Sequence, residues 1–189
     1  MSLQLVPLRL VDRPPEPVSA EPRSADAPAS VDALFRTYAR YVGTIGVRIL
    51  GRQDEVDDLV QDVFLDAHRG LRTLREPEAI KGWLATLTVR KARRRLRARR
   101  VRDFFGLGHD VDYELLAGPE ASPAERAQVA ELYRLLDRAS AEERLAWSLR
   151  HLSGEPLERV AELCECSLAT AKRRIAVVQV LLREELADG

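Results

Sequence analysis

Between Arg90 and Arg102 the chain carries Arg90, Lys91, Arg93, Arg94, Arg95, Arg97, Arg99, Arg100 and Arg102, with no carboxylate among them. Guanidinium groups present planar forks of donors that match phosphate oxygens, and arginine outnumbers lysine here. Like charges three and four residues apart repel by about a few tenths of a kcal/mol per pair. An anion relieves that repulsion, and the phosphates of a nucleic acid are favoured over a merely solvated face. A second group of cations, Lys172, Arg173 and Arg174, follows the small residues Ser167, Ala169 and Thr170. Small residues followed by cations at a helix start suit the major groove, where Arg and Lys donate to guanine edges and to phosphates. The opposite chemistry lies in Asp54, Glu55, Asp57, Asp58, Asp62 and Asp66, a segment with no basic residue before His68. The first four of these acids favour the positive end of a helix dipole. From charge alone, Asp58, Gln61 and Asp62 fit a solvated surface and a protein-docking face equally well.

Other chemistries find little support. His68, His109 and His151 are scattered, and Cys164 and Cys166 form an isolated C-x-C. These supply neither a complete zinc-ligand set nor a nucleophile paired with a base, so no metal, cofactor or catalytic residue is expected and a metal-dependent nuclease is disfavoured. The scarcity of cysteine fits a reducing cytoplasm. The opening MSLQLVPLRLV is short and interrupted by Arg9, and no apolar run reaches bilayer length, so neither secretion nor membrane insertion is expected.

The elements that hold these groups read as helices throughout. The chain has 189 residues, 46% of them hydrophobic, and 30 acidic residues balance 30 basic ones, so the zero net charge conceals segregation. Residues 1–30, rich in proline, read as a disordered tail. Leu34, Phe35, Tyr38, Val42, Ile45 and Ile49 form a helical stripe over Val31 to Leu50, closed by Gly51. Val56, Leu59, Val60, Val63, Phe64, Ala67 and Leu71 form the next, from Asp54. After a turn at Arg75 to Glu78 containing Pro77, Ile80, Trp83, Leu84 and Leu87 begin a helix that runs into the arginines, with Trp83 assigned to the core. Residues 103–122 lack a period and read as a flexible linker, with Phe104, Phe105 and Leu107 apolar enough to dock. Pro123 opens a second bundle, which continues with a helix at Ser140 to Leu152 carrying a capping box at Ser140 and Glu143. A short helix over Leu157 to Cys164 and a long one capped by Ser167 and running through Leu186 make a helix-turn-helix outline, with Leu168, Ala171, Ile175, Val178 and Leu182 facing inward. The expected fold is all-α: two small helical domains, 31–102 and 123–189, joined by the linker.

Two stretches carry a family likeness. GRQDEVDDLVQDVFLDAHRGL with the Trp83-Leu84 helix and its basic tail resembles the promoter-melting domain of bacterial extracytoplasmic-function sigma factors. LDRASAEERLAWSLRHLSGEPLERVAELCECSLATAKRRI resembles their C-terminal helix-turn-helix domain. The resemblance implies a non-enzymatic protein that binds core RNA polymerase, promoter DNA and an anti-sigma factor. It assigns Asp57, Asp58, Leu59, Gln61 and Asp62 to the clamp helices of the largest polymerase subunit. It assigns Lys81, Arg90, Lys91, Arg94, Arg95 and Arg97 to the melted upstream element, and Ser167, Ala169, Thr170, Lys172, Arg173 and Arg174 to the recognition helix. The linker would thread toward the RNA path. Arg90 stands where many relatives carry Asn, Cys164 where Leu is usual and Glu165 where Gly is usual. Past Ile175 the chain reads AVVQVLL in place of further cations, which suits either a deeper core or weaker DNA affinity with burial against an inhibitory partner. A free-standing helix-turn-helix regulator is the rival, and it leaves the first half of the chain unassigned.

Overall fold

The computed structural model describes residues 31–71, 79–107 and 111–187, with the side chains of the last two outside the description. The proline-rich tail and the turn around Pro77 lie outside the described residues. Helix α1, Val31–Leu50, buries Leu34, Val42, Ile45, Ile49 and Leu50. It stops at Gly51, whose φ of 64° lies in the left-handed region and whose amide bonds Val47 O at 2.8 Å. Helix α2, Gln53–Gly70, lays Val56, Leu59, Val63, Phe64 and Ala67 against α1. The two approach closely at Gly46, where a Cβ would stand 2.7 Å from a Leu59 methyl. Helix α3, Ile80–Phe104, covers both with Ile80, Leu84, Ala85, Val89, Ala92 and Leu96, and extends two residues beyond the expected Arg102.

The linker departs from expectation in both halves. Phe104, Phe105 and Leu107 do not dock; they are 85%, 69% and 63% exposed. Instead a single 3₁₀ turn, Tyr113–Leu116, docks on the second bundle, with Tyr113 and Leu116 buried and Asp112 accepting from the Glu114 amide at 3.0 Å. One such turn is too short to show a period, so the pattern concealed it.

Helix α4, Pro123–Arg138, starts from a capping box at Ser122 and Glu125, and α5, Ala141–Trp147, from the expected one at Ser140 and Glu143. The helix expected to reach Leu152 in one piece instead widens into a π turn at Ser148–Leu152, where the His151 ring lies 4.9 Å from that of Trp147. The helix-turn-helix follows as α6, Leu157–Leu163, and α7, Leu168–Ala187. Ala171, Ile175, Val178 and Leu182 are buried as expected, whereas Leu168 is 38% exposed. As the first helical residue it has no preceding turn to cover. Val178 serves the deeper core, but Val177 and Val180 stay on the outer face.

One hydrophobic cluster runs through both bundles, and α3 packs on α5 and α6 as well as on α1 and α2. Tyr133 Oη donates to Arg48 O at 3.2 Å, and Arg144 donates from Nε to Ile49 O at 3.0 Å and from Nη2 to Leu50 O at 2.7 Å. The two bundles therefore sit directly on one another. A Cβ on Gly51 would strike the Tyr133 ring, and its φ would be strained as well. Gly51→Ala is expected to lose about 3 kcal/mol of stability, and Leu59→Ala about 3 kcal/mol through the cavity it leaves, both measurable by urea denaturation.

Candidate nucleic-acid and polymerase interface

The basic half of α3 lacks carboxylates only in its own sequence. Helix α2 brings Asp62 to Arg95 at 2.6 Å, Asp66 to Lys91 at 2.7 Å and Glu55 to Arg99 at 3.0 Å. These pairs arise because α2 and α3 run side by side with their apolar stripes facing inward, which sets their charged flanks edge to edge. The second bundle supplies the rest. Glu165 pairs with Arg90 at 2.6 Å and Arg93 at 3.2 Å, Glu142 with Arg97 at 2.5 Å, and Ala139 O accepts from Arg100 at 2.9 Å. The expected open array of cations is thus largely filled from within. Arg94 and Arg102 are exposed and make no ion pair among the described residues. Lys81 is remote from this group: it lies at the start of α3, roughly 14 Å along the axis from Arg90, with its ammonium 5.1 Å above the Tyr41 ring.

On α2, Asp57, Asp58 and Gln61 are exposed side by side, and Asp62 is half-exposed and engaged by Arg95. Leu59 does not share that surface. It is fully buried against α1, so its part is to hold the helix in place. Above this face a groove of about 550 Å³ opens between α1 and α2, with an apolar floor that includes Ala39, Gly43, Val56 and Val60 and a rim bearing Asp57 and Gln61.

At the helix-turn-helix, Ser167 Oγ accepts from the Thr170 amide at 3.2 Å and lies 2.9 Å from Thr170 Oγ1, capping α7. Ala169, Lys172 and Arg173 are exposed, Thr170 is half-buried, and Arg174 turns back toward Glu142 at 3.5 Å. The turn itself places Glu165 at φ 53°, a conformation that favours glycine. Its hydrogen bond to Arg90, together with their opposite charges, holds the Glu165 carboxyl below the usual carboxylate range. Arg90 and Glu165, both departures from the family pattern, are therefore bonded to each other.

Burial pushes the Cys164 thiol up to about 12, and no group of three or more metal-ligating side chains occurs among the described residues. Sequence reasoning missed Arg144, Asp137 and Tyr133. Arg144 is 2% exposed and ion-paired with Asp137, which also accepts from the Tyr113 hydroxyl. Burial first and that hydrogen bond second push Tyr113 up to about 12, so it remains a donor. The available signal was a charged residue on the same helical face as Ala141, Leu145 and Ser148, with Asp137 seven residues earlier.

Residues 34–102 match the family model described as Sigma-70 region 2. The chain is 28% identical over 130 residues to the ECF RNA polymerase sigma-E factor of Escherichia coli K12, covering 64% of this chain and 68% of that one. It is 33% identical over 134 residues to the "Probable RNA polymerase sigma factor RfaY" of Xanthomonas campestris pv. campestris, covering 69% of this chain but only 34% of that relative. Over most of its length the chain is similar to extracytoplasmic-function sigma factors, and its first bundle matches their Sigma-70 region 2. A solved structure of the sigma factor RpoE from Bartonella quintana, in complex with the anti-sigma factor NepR, shares the fold with a TM-score of 0.61 and 22% identity, over 84% of this chain and 98% of that one. The family model spans α1 to α3. No described helix is long and apolar enough to cross a membrane.

With so little thiolate, folded Cys164 is expected to react with iodoacetamide at pH 8 at least about a hundredfold more slowly than in the unfolded chain. Mass spectrometry of the alkylated peptides with and without urea checks this.

Proposed function

We propose that the protein is a sigma factor that binds core RNA polymerase and directs sequence-specific promoter recognition, melting and transcription initiation. In this reading residues 31–102 dock on the polymerase and melt the promoter, 103–122 link, and 123–189 recognise duplex DNA. The observation that carries it is the joint presence, in one chain, of an exposed carboxylate and glutamine face on α2, an arginine-dense α3 beside it, and a capped recognition helix. A free-standing helix-turn-helix regulator requires only the last of these.

Asp57, Asp58 and Gln61 are the polymerase-contacting group, with Asp62 released from Arg95 on docking. Arg94, already unpaired, and Arg90, Lys91, Arg95 and Arg97, once unpaired, engage the melted strand, with Lys81 touching the backbone further along. Ser167, Ala169 and Thr170 allow close approach of α7 to the major groove, and Lys172, Arg173 and Arg174 reach base edges or phosphates. The protein itself catalyses nothing, acts in the cytoplasm, and is held in check by an anti-sigma factor, as the Bartonella relative is bound by one.

Copurification with core polymerase followed by transcription from a genomic promoter library tests the assignment; failure to associate with core enzyme overturns it. Asp57→Ala with Asp58→Ala is expected to weaken core binding by about tenfold or more while leaving the melting temperature unchanged, since both side chains are exposed and make no ion pair among the described residues. In the holoenzyme, Lys172→Ala and Arg173→Ala should each lower the log-log salt slope of initial promoter binding by about 0.9 if each neutralises one duplex phosphate.

A further inference from the structure

We propose that the free chain is self-inhibited by an internal phosphate mimic: Glu142 and Glu165 occupy the cations of α3 and α7 that DNA must use, and hold the two nucleic-acid faces against each other. This inference rests on the function proposed above. Glu142, in the first turn of α5, reaches both helices at once, at 2.5 Å from Arg97, 3.8 Å from Arg93 and 3.5 Å from Arg174. Glu165 adds two more contacts, accepting from Arg90 Nε at 2.7 Å and from Arg93 Nη1 at 3.2 Å. It does so from a left-handed backbone position, φ 53°, that a glycine would fill without strain.

The contact is incomplete in a way that leaves it exchangeable. Arg93 Nε and Arg174 Nη1 are buried and make no hydrogen bond, although both lie within ion-pair distance of Glu142. Two carboxylates are thus shared among four guanidinium groups that have many more donors than they use. A phosphate backbone supplies an oxygen pair at every step and can satisfy what the glutamates leave unmet. Arg90, Arg97 and Glu165 are largely exposed, so these pairs are screened by salt and open to competition. The Arg144 and Tyr133 contacts are buried and keep the bundles together while such competition proceeds.

The test compares full-length wild type with Glu142→Gln/Glu165→Gln and with a charge-matched control, Glu114→Gln/Glu120→Gln, whose side chains are exposed and form no ion pair among the described residues. The probe is a fluorescein-labelled duplex lacking promoter sequence, read by anisotropy at fixed salt. The latch variant is expected to bind about five- to tenfold more tightly than wild type, and the control less than about twofold. Scattering should show the same radius of gyration for all three proteins, since the Tyr133 and Arg144 contacts with the end of α1 are untouched by either pair of substitutions. Equal tightening in both variants, or none in the latch variant, overturns the proposal. Should the double variant fold poorly, Glu165→Gly removes one carboxylate while relaxing the backbone, and must still tighten binding for the proposal to stand. Wild-type association with core polymerase is measured in parallel: its absence defeats the sigma-factor assignment, whereas the duplex comparison decides the latch independently.

Discussion

The C-terminal end of α1 is the point on which the remaining geometry depends. The last carbonyls of a helix have no partners within it, and burying them bare is costly. Here Tyr133 meets Arg48 O, Arg144 meets Ile49 O and Leu50 O, and Arg99 also meets Leu50 O at 3.1 Å. The donors come from α4, α5 and α3, so a single helix end ties the two bundles together. Gly51 makes the arrangement possible by turning the chain where the Tyr133 ring approaches. The Arg144 charge is tolerated because Asp137 and the two carbonyls leave little of it unpaired; removing one partner of such a set commonly costs about 3–5 kcal/mol.

The zero net charge hides a second set of long-range contacts. Acidic and basic residues are segregated along the chain, and the packing brings the segregated arrays face to face: Asp62 and Asp66 of α2 with Arg95 and Lys91, Glu142 and Glu165 of the second bundle with Arg90, Arg93 and Arg97. Each exposed pair contributes little by itself, about 0–1 kcal/mol. Their joint effect is on availability, because a cation already facing a carboxylate attracts a distant polyanion less strongly than a bare one. Neutrality in this protein is therefore an interaction between surfaces rather than an absence of charge.

The all-α architecture was legible because amphipathic stripes and cap residues act locally. Val56, Leu59, Val63 and Ala67 announce α2 by spacing alone, and Ser140 with Glu143 announces α5. The basic and acidic segments were legible for the same reason. What spacing could not convey was the partner of each charge, since Arg97 and Glu142 are 45 residues apart and Arg90 and Glu165 are 75 apart. Nor could it separate Leu59, which is fully buried, from the exposed Asp58 beside it when a motif was carried over as a block. The docked Tyr113–Leu116 turn escaped because its stability comes from stacking Tyr113 on Tyr133, a long-range contact, and not from a repeating pattern.

The interface between the bundles joins two kinds of contact with different fates on binding DNA. Arg144, Tyr133 and the apolar cluster are buried, so salt hardly screens them and a phosphate has no route to them. The glutamate contacts of Arg90 and Arg97 lie at the rim, where solvent and polyanions compete directly, and those of Arg93 and Arg174 lie just beneath it. A polyanion can therefore strip the rim first, freeing Arg90 and Arg97 without having met the buried set. Separation of the bundles then needs a second source of free energy, because the cations gained by DNA do not offset an uncapped α1 and a buried guanidinium. Polymerase is suited to supply it, since its proposed contacts fall on α2, beside the helix whose end is at stake. The order in which the two ligands act would follow from where each set of contacts lies, with charge exchange at the rim reversible and the buried cap committing the chain.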